Sequence, residues 1–189
     1  GAAPVRAVRI GFVGELGWEL HVPTEFGAHV YKTLAAAGAQ YGIKDVGYRA
    51  IDSLRLEKGY LYWSGDITPD TTPIEAGLGF RVHLKKGSDF IGRPVLEKQK
   101  AEGPGRKLCT FTTERKLPLY GGETILHGGN TVSLASAAGF GHTVGKTIIF
   151  GYLDKSLWGK DGFEIEVFGD RFPITKVDGP LYDAGNERL

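Results

Sequence analysis

The chain has 189 residues and a formal net charge of +1, and 29 of its residues are glycine. Glycine at about twice its ordinary frequency excludes a helical bundle or coiled coil, and an apolar fraction of 41% argues against intrinsic disorder. The nearly equal numbers of acidic and basic residues give no reason to expect nucleic acid or an anionic membrane surface as a partner.

The first 22 residues predict two strands joined by a glycine turn. Val8, Ile10 and Phe12 alternate with arginine and glycine, and residues 18–22 show the same period of two. The intervening residues 13–17 read Val-Gly-Glu-Leu-Gly. We therefore expect two half-buried strands connected by this turn, which is called the glycine turn below.

Two helices are predicted next. After Pro23, apolar residues recur every four positions, and Gly38 or Gly42 would end this helix. A second helix is expected over residues 47–58, with Gly59 at its C-terminal end.

The middle of the chain carries weaker signals. Residues 72–75, Thr-Pro-Ile-Glu, have the capping residue, proline and acid of a helix start, although nearby glycines limit any helix to about one turn. A strand is expected at residues 80–84 and a short helix at residues 94–100. The composition then changes at residues 101–106, where glycine and proline interrupt both patterns.

After this point, the sequence consists almost wholly of strand and turn signals. Glycine-bearing turns separate short alternating segments, which is typical of a small antiparallel barrel or sandwich. The six predicted strands are residues 108–113, 123–126, 131–135, 147–153, 163–168 and 171–177.

Several motifs that resemble chemical sites are better explained as structure. Residues 139–147 end in Gly-Lys-Thr, but Phe140 stands where a phosphate-binding loop needs glycine, and a strand follows instead of a helix. The five histidines lack the spacing of metal ligands, so no metal site is expected. The single cysteine, Cys109, excludes an internal disulfide and suits a reducing compartment, and a buried apolar role is favoured over a nucleophile.

Two groups of charged residues remain. Glu15 and Glu19 lie in the glycine turn and in the strand after it. On the second helix, Arg49, Asp52 and Arg55 are spaced so that they can form ion pairs. From the residues alone, a solvated helix face with ion pairs is favoured for this helix, and a functional cluster is the alternative.

Four segments form a recognisable pattern in this order along the chain. Residues 12–20 read FVGELGWEL, residues 47–59 read GYRAIDSLRLEKG, residues 72–80 read TPIEAGLGF, and residues 89–93 read DFIGR. Together they resemble the aminomethyltransferase family, the tetrahydrofolate-dependent T-proteins of glycine cleavage. They are similar in particular to the C-terminal folate domains of sarcosine and dimethylglycine dehydrogenases.

The resemblance implies an α+β fold with two parts. Residues 1–103 would be the C-terminal half of the folate-binding domain, with mixed helices and strands. Residues 104–189 would form a small antiparallel β-barrel.

The resemblance also implies roles for single residues. In the family, the glutamate of the strand after the glycine turn binds the pterin edge, and Glu19 stands at that position; a carboxylate can accept both hydrogen bonds of such an edge. Arg49 corresponds to a ligand-contacting arginine and Phe80 to an aromatic residue that stacks on the ligand. Phe12 stands where relatives often have tyrosine, and Tyr182 is a further candidate for binding the cofactor.

The implied function is part of a larger flavoenzyme. In such an enzyme, FAD in an N-terminal domain oxidises an N-methyl amine, and the folate domain passes the one-carbon unit to tetrahydrofolate. The catalytic aspartate of the family belongs to a preceding half of the domain that is missing here. The absence of methionine also favours a fragment, which alone would be inactive.

Partners and location follow from the same resemblance. The expected partners are folate, one-carbon small molecules and the missing N-terminal part of the same polypeptide, in the bacterial cytoplasm or the mitochondrial matrix. One alternative is a stand-alone aminomethyltransferase, which uses an aminomethyl-lipoyl carrier protein instead of FAD. The other is a non-catalytic regulatory relative.

Overall fold

The computed structural model describes residues 2–189. Two short antiparallel strands come first along the chain. They are β1, Arg6–Val8, and β2, Glu19–His21. The first strand is shifted towards the N-terminus and shares only Val8 with the predicted strand, because the chain after Val8 bends and folds back on itself. A Cβ atom at Gly11 would lie only 3.6 Å from the Cα atom of Gly17, so this loop closes through its two glycines.

Both predicted helices are present. Helix α1, Thr24–Gly38, continues as a 3-10 turn and ends at Gly42, which has a φ of 73°. Helix α2, Tyr48–Lys58, ends at Gly59 with a φ of 74°. At both ends the backbone enters the left-handed region, which glycine adopts without a Cβ clash.

The middle segment is built from local turns. The backbone N–H of Thr72 donates to Glu75 Oε2 at 3.0 Å, and the N–H of Glu75 donates to Thr72 Oγ1 at 3.2 Å, as the capping signal predicts. The prediction of a strand at residues 80–84 is wrong. Gly79–Arg81 form a 3-10 turn, because their backbone hydrogen bonds are made within the segment and not to a neighbouring strand. Helix α3, Arg93–Glu102, follows.

The second part is a closed six-stranded antiparallel barrel, which decides between the two predicted architectures and confirms the expected fold class. Around the barrel the strand order is β3-β6-β5-β4-β7-β8. The strands are β3, Arg106–Thr113; β4, Thr124–His127; β5, Asn130–Gly141; β6, Lys146–Asp154; β7, Phe163–Val167; and β8, Asp170–Val177.

The core lies in the barrel and beneath α2. Fully buried aromatic and aliphatic side chains such as Phe111, Ile149 and Ile165 fill the barrel, and Leu56 of α2 packs on its outside. By contrast, no residue of α1 is buried. Among residues 2–189, no helix has the length and apolarity needed to cross a membrane.

The glycine-rich segment 139–147 is the hairpin between β5 and β6. A Cβ atom at Gly139 would lie 3.0 Å from Leu56 Cδ1, and one at Gly141 would lie 2.9 Å from Glu57 Cγ. These two glycines therefore let α2 approach the barrel closely, which gives a structural reason for the motif.

Candidate functional site

A cavity of about 390 Å³ opens at the glycine turn. Because the turn folds back on itself, both arms of the loop and the start of the segment after α2 face the same space. The residues that line the cavity are Arg9, Ile10, Gly11, Glu15, Leu16, Gly17, Tyr60 and Leu189. The cavity thus combines an arginine, a carboxylate, an aromatic ring and apolar surface.

Four aromatic residues, Phe12, Tyr48, Tyr60 and Tyr62, form a cluster beside this cavity. The ring of Phe12 lies 6.0 Å from that of Tyr60, nearly parallel, and 6.1 Å from that of Tyr62. The hydroxyls of Tyr48 and Tyr62 are 3.2 Å apart. Sequence reasoning identified only Phe12. For Tyr60 and Tyr62, the sequence offered one signal, the run of aromatic residues directly after Gly59.

A buried ion pair fixes the loop that carries these tyrosines. The Arg55 side chain, 5% exposed, pairs with the fully buried carboxylate of Asp66 and with Asp52 at 2.7 Å. Arg55 also donates to the carbonyl of Tyr60 at 3.1 Å, and Asp66 accepts the N–H of Tyr62 at 2.8 Å. The predicted pairing of Asp52 with Arg55 is confirmed, but the expectation of a solvated face is wrong for Arg55.

The same aspartate ties the loop to the barrel. Ser136 Oγ donates to Asp66 Oδ1 at 2.9 Å, and the Tyr152 hydroxyl donates to the Asp66 carbonyl at 2.8 Å. Burial is the main cause that raises the pKa of Tyr152. The aromatic cluster is therefore supported from both α2 and the barrel.

Glu57 of α2 is also buried, against the expectation of a solvated face, with 1% of its surface exposed. Its Oε1 accepts the backbone N–H of Thr143 at 2.6 Å and that of Val144 at 3.3 Å. Its Oε2 has no hydrogen-bond partner among residues 2–189. Glu57 thus holds the β5–β6 turn against the helix.

Two of the five predicted cofactor-binding residues border the cavity or its aromatic cluster. Phe12 belongs to the cluster, and the Tyr182 hydroxyl donates to Glu15 on the cavity wall. The hydrogen bond to Glu15 is the main cause that raises the pKa of Tyr182.

The other three do not line this cavity. Glu19 is exposed on β2, with Oε2 3.7 Å from His21 Nε2, and the guanidinium of Arg49 lies 6.0 Å from the Tyr120 ring. Phe80, 68% exposed, lines a second cavity of about 380 Å³. Within residues 2–189, no hydrogen bond, ion pair or ring contact joins any two of the five predicted residues.

Among residues 2–189, this site does not bring together metal-ligating or nucleophilic side chains. The described part of the chain brings together no group of three His, Cys, Asp or Glu side chains that could hold a metal ion. Cys109 is buried on β3, and this burial raises the pKa of its thiol. Its predicted role as a small buried residue is confirmed.

Two family models match the chain. Residues 1–86 match the "GCVT N-terminal domain", and residues 106–183 match the "Glycine cleavage T-protein C-terminal barrel domain". Together they account for most of the sequence.

Curated relatives agree with these matches. The chain is 51% identical over 149 residues to mouse mitochondrial sarcosine dehydrogenase, covering 79% of this chain and 16% of that protein. It is 36% identical to mouse mitochondrial dimethylglycine dehydrogenase, covering 94% of this chain and 21% of that protein. Identity to the aminomethyltransferase of Rippkaea orientalis is 38%, over 97% of this chain and 49% of that protein. The chain therefore spans half or less of the length of these relatives.

A solved structure shows the same fold. The crystal structure of aminomethyltransferase T from the glycine cleavage system of Bartonella henselae matches with a TM-score of 0.83 and 27% identity. The match covers 94% of this chain and 50% of that one. On both sequence and fold, the chain belongs to the aminomethyltransferase family, the T-proteins of glycine cleavage.

Proposed function

We propose that this chain is the tetrahydrofolate-binding part of an enzyme like sarcosine or dimethylglycine dehydrogenase. Such an enzyme oxidises an N-methyl amine and passes the one-carbon unit to tetrahydrofolate. The observation that carries the proposal is the 51% identity to mouse sarcosine dehydrogenase, which exceeds the 38% identity to the stand-alone Rippkaea orientalis aminomethyltransferase.

The residues around the glycine turn fit the chemistry of a reduced pterin. Its 2-amino-4-oxopyrimidine edge presents adjacent hydrogen-bond donors, and Glu15 and Glu19 offer carboxylate acceptors on and next to the turn. Phe12 and Tyr60 supply aromatic surface. The resemblance to the family supports Glu19, Arg49, Phe80, Phe12 and Tyr182 as the proposed cofactor contacts, and the cavity adds Glu15 and Tyr60.

Bound tetrahydrofolate supplies the nitrogen atoms to which the one-carbon unit is attached. The residues of this chain bind and orient it. The aromatic cluster gives one side of the cavity aromatic surface, and the buried pair of Arg55 and Asp66 holds that cluster in place. No catalytic acid is proposed within this chain, so we expect it to be inactive when separated from the preceding part of the enzyme.

The proposed partner of residues 1–103 is the preceding part of the same polypeptide, with FAD bound in it. Helix α1 leaves Tyr31 and Leu34 55% and 44% exposed, beside a groove of about 570 Å³. Exposed apolar surface of this kind is typical of an interface. Since the mouse relatives are described as mitochondrial, we expect the mitochondrial matrix, or the cytoplasm in a bacterium.

The test replaces Glu19 in the full-length enzyme. We expect Glu19→Ala to raise the dissociation constant of tetrahydrofolate about tenfold or more, because a charge-assisted hydrogen-bond pair is lost. Amine oxidation with an artificial electron acceptor should change little. Glu25→Ala, an exposed glutamate at the start of α1, is the matched control. Equal folate affinity in the Glu19→Ala variant would remove this residue from the site.

A second candidate is a stand-alone aminomethyltransferase. It is favoured by the match over 97% of this chain to the Rippkaea orientalis enzyme and by the fold of the Bartonella henselae protein. The two candidates differ in substrate. Folate-dependent release of ammonia from an aminomethyl-lipoyl carrier protein would support the transferase, and folate-dependent turnover of sarcosine or dimethylglycine would support the dehydrogenase.

A further inference from the structure

The last twelve residues leave the barrel and return to the glycine turn. After β8 ends at Val177, the backbone N–H groups of Leu181 and Tyr182 both donate to the carbonyl of Glu57 at 3.0 Å. Further along, the carbonyl of Arg188 accepts the N–H of Leu16 at 2.8 Å. We call residues 178–189 the C-terminal strap. Its last six residues lie beyond both matched family models.

Lys58, the last residue of α2, anchors the strap. Its side chain is only 1% exposed, and Nζ donates to the Asp183 carbonyl at 2.6 Å and to Asp183 Oδ2 at 2.8 Å. The Asp183 carboxylate also accepts the N–H of Glu187 at 2.9 Å and that of Arg188 at 3.3 Å, which closes the strap into a turn. The hydrogen bond from Lys58 is the main cause that lowers the pKa of Asp183.

The stem of Lys58 also supports the glycine turn directly. Gly14 is buried with a φ of 78°, and a Cβ atom there would lie 2.6 Å from Lys58 Cγ. The turn therefore rests on the aliphatic part of the lysine, while the ammonium holds the strap on the other side. The Tyr182 hydroxyl of the strap also donates to Glu15 of the glycine turn.

A buried ammonium is costly unless it is paired. Opening the strap would leave the Lys58 ammonium without the acceptors that Asp183 provides, and it would remove the acceptor of the Leu16 N–H. The strap and the glycine turn consequently hold their positions together.

We infer that Lys58 is a positioning residue for the cofactor site, acting with Asp183 and the C-terminal strap to hold the glycine turn and its Glu15 in the ligand-binding geometry. This inference rests on the proposed function for the identity of the ligand. The coupling of strap and turn can be tested without a ligand.

The ligand-free test is amide hydrogen exchange of Leu16 in the 189-residue chain. We expect Lys58→Met to accelerate this exchange about tenfold or more, because breaking a buried pair releases the strap, while barrel amides such as that of Ile149 remain slower to exchange than that of Leu16. Lys146→Met is the matched control, since it breaks an exposed 2.9 Å ion pair with Glu114. Equal Leu16 exchange in the two variants would overturn the inference.

A second variant keeps the test decisive if Lys58→Met does not fold. Deletion of residues 184–189 removes the Arg188 carbonyl but leaves Lys58 and Asp183 in place. It should accelerate the exchange of Leu16 to a similar extent, with barrel amides unchanged. Unchanged exchange of Leu16 in the shortened chain would overturn the inference.

The link to the ligand is tested in the full-length enzyme by equilibrium binding of tetrahydrofolate. Lys58→Met and Asp183→Asn should each weaken binding about tenfold, and the double variant should be no weaker than either, because both break one pair. Additive effects, or unchanged affinity in both single variants, would overturn the positioning role. If the wild-type enzyme bound no tetrahydrofolate, the proposed function would fail, and the exchange of Leu16 would still decide whether the strap holds the turn.

Discussion

The charged residues of α2 are among the most deeply buried side chains of the molecule. Over the whole residue, Arg55, Glu57 and Lys58 are 4%, 1% and 3% exposed, although their spacing along the helix fits a solvated face equally well. Their partners come from segments far away in sequence, such as Thr143 and Asp183. Local periodicity carries no information about such partners, so the sequence could predict the pairing of Asp52 with Arg55 but not the burial of this cluster.

At the residue scale, we predict that Asp66→Ala destabilises the chain strongly. The substitution leaves the buried Arg55 guanidinium without its main partner, and losses of this kind cost about 3–5 kcal/mol. Equilibrium urea unfolding measures the effect. Glu97→Ala is the control, because it breaks an exposed 2.8 Å pair with Arg93, worth at most about 1 kcal/mol. A similar loss in both variants would show that the buried pair does not fix the aromatic loop.

Element boundaries were predictable wherever a single residue type determines the backbone. Gly42 and Gly59 end the two helices in the left-handed region, and the capping pair of Thr72 and Glu75 forms as its spacing predicts. The strand expected at residues 80–84 failed, because alternating apolar residues also occur in turns whose backbone hydrogen bonds are local. Residues 12–16 likewise form bends, so the first strand was predicted too far along the chain.

At the element scale, we predict different costs for two glycines with nearly the same backbone. Gly14 and Gly42 have φ values of 78° and 73°, so alanine at either position costs about 1–2 kcal/mol in backbone strain. A Cβ atom at Gly14 would also overlap the stem of Lys58, whereas at Gly42 nothing lies within 4 Å. Overpacking adds about 1–3 kcal/mol, so Gly14→Ala should lower the urea midpoint more than Gly42→Ala. Equal midpoints would contradict the close packing of the glycine turn on Lys58.

At the scale of the whole molecule, the barrel was predictable and the site was only partly so. Six alternating segments with glycine turns predict a barrel or sandwich, and the resemblance to the T-proteins selects the barrel. The return of the C-terminal strap to the glycine turn has no signal in the pattern, because it depends on contacts across more than one hundred residues, such as that between Lys58 and Asp183. The division after residue 103 and the five cofactor contacts stay predictions.

The central claim is that the one-carbon unit passes to tetrahydrofolate held by this part of the enzyme. The most direct measurement follows the ¹³C-labelled N-methyl carbon of sarcosine or dimethylglycine by NMR, in the full-length enzyme with tetrahydrofolate and an excess of a formaldehyde trap. We predict that the wild-type enzyme places the label in 5,10-methylenetetrahydrofolate despite the trap, and that Glu19→Ala diverts it to the trap. The 189-residue chain alone should give no turnover. Label found wholly in the trap with the wild-type enzyme would contradict the account.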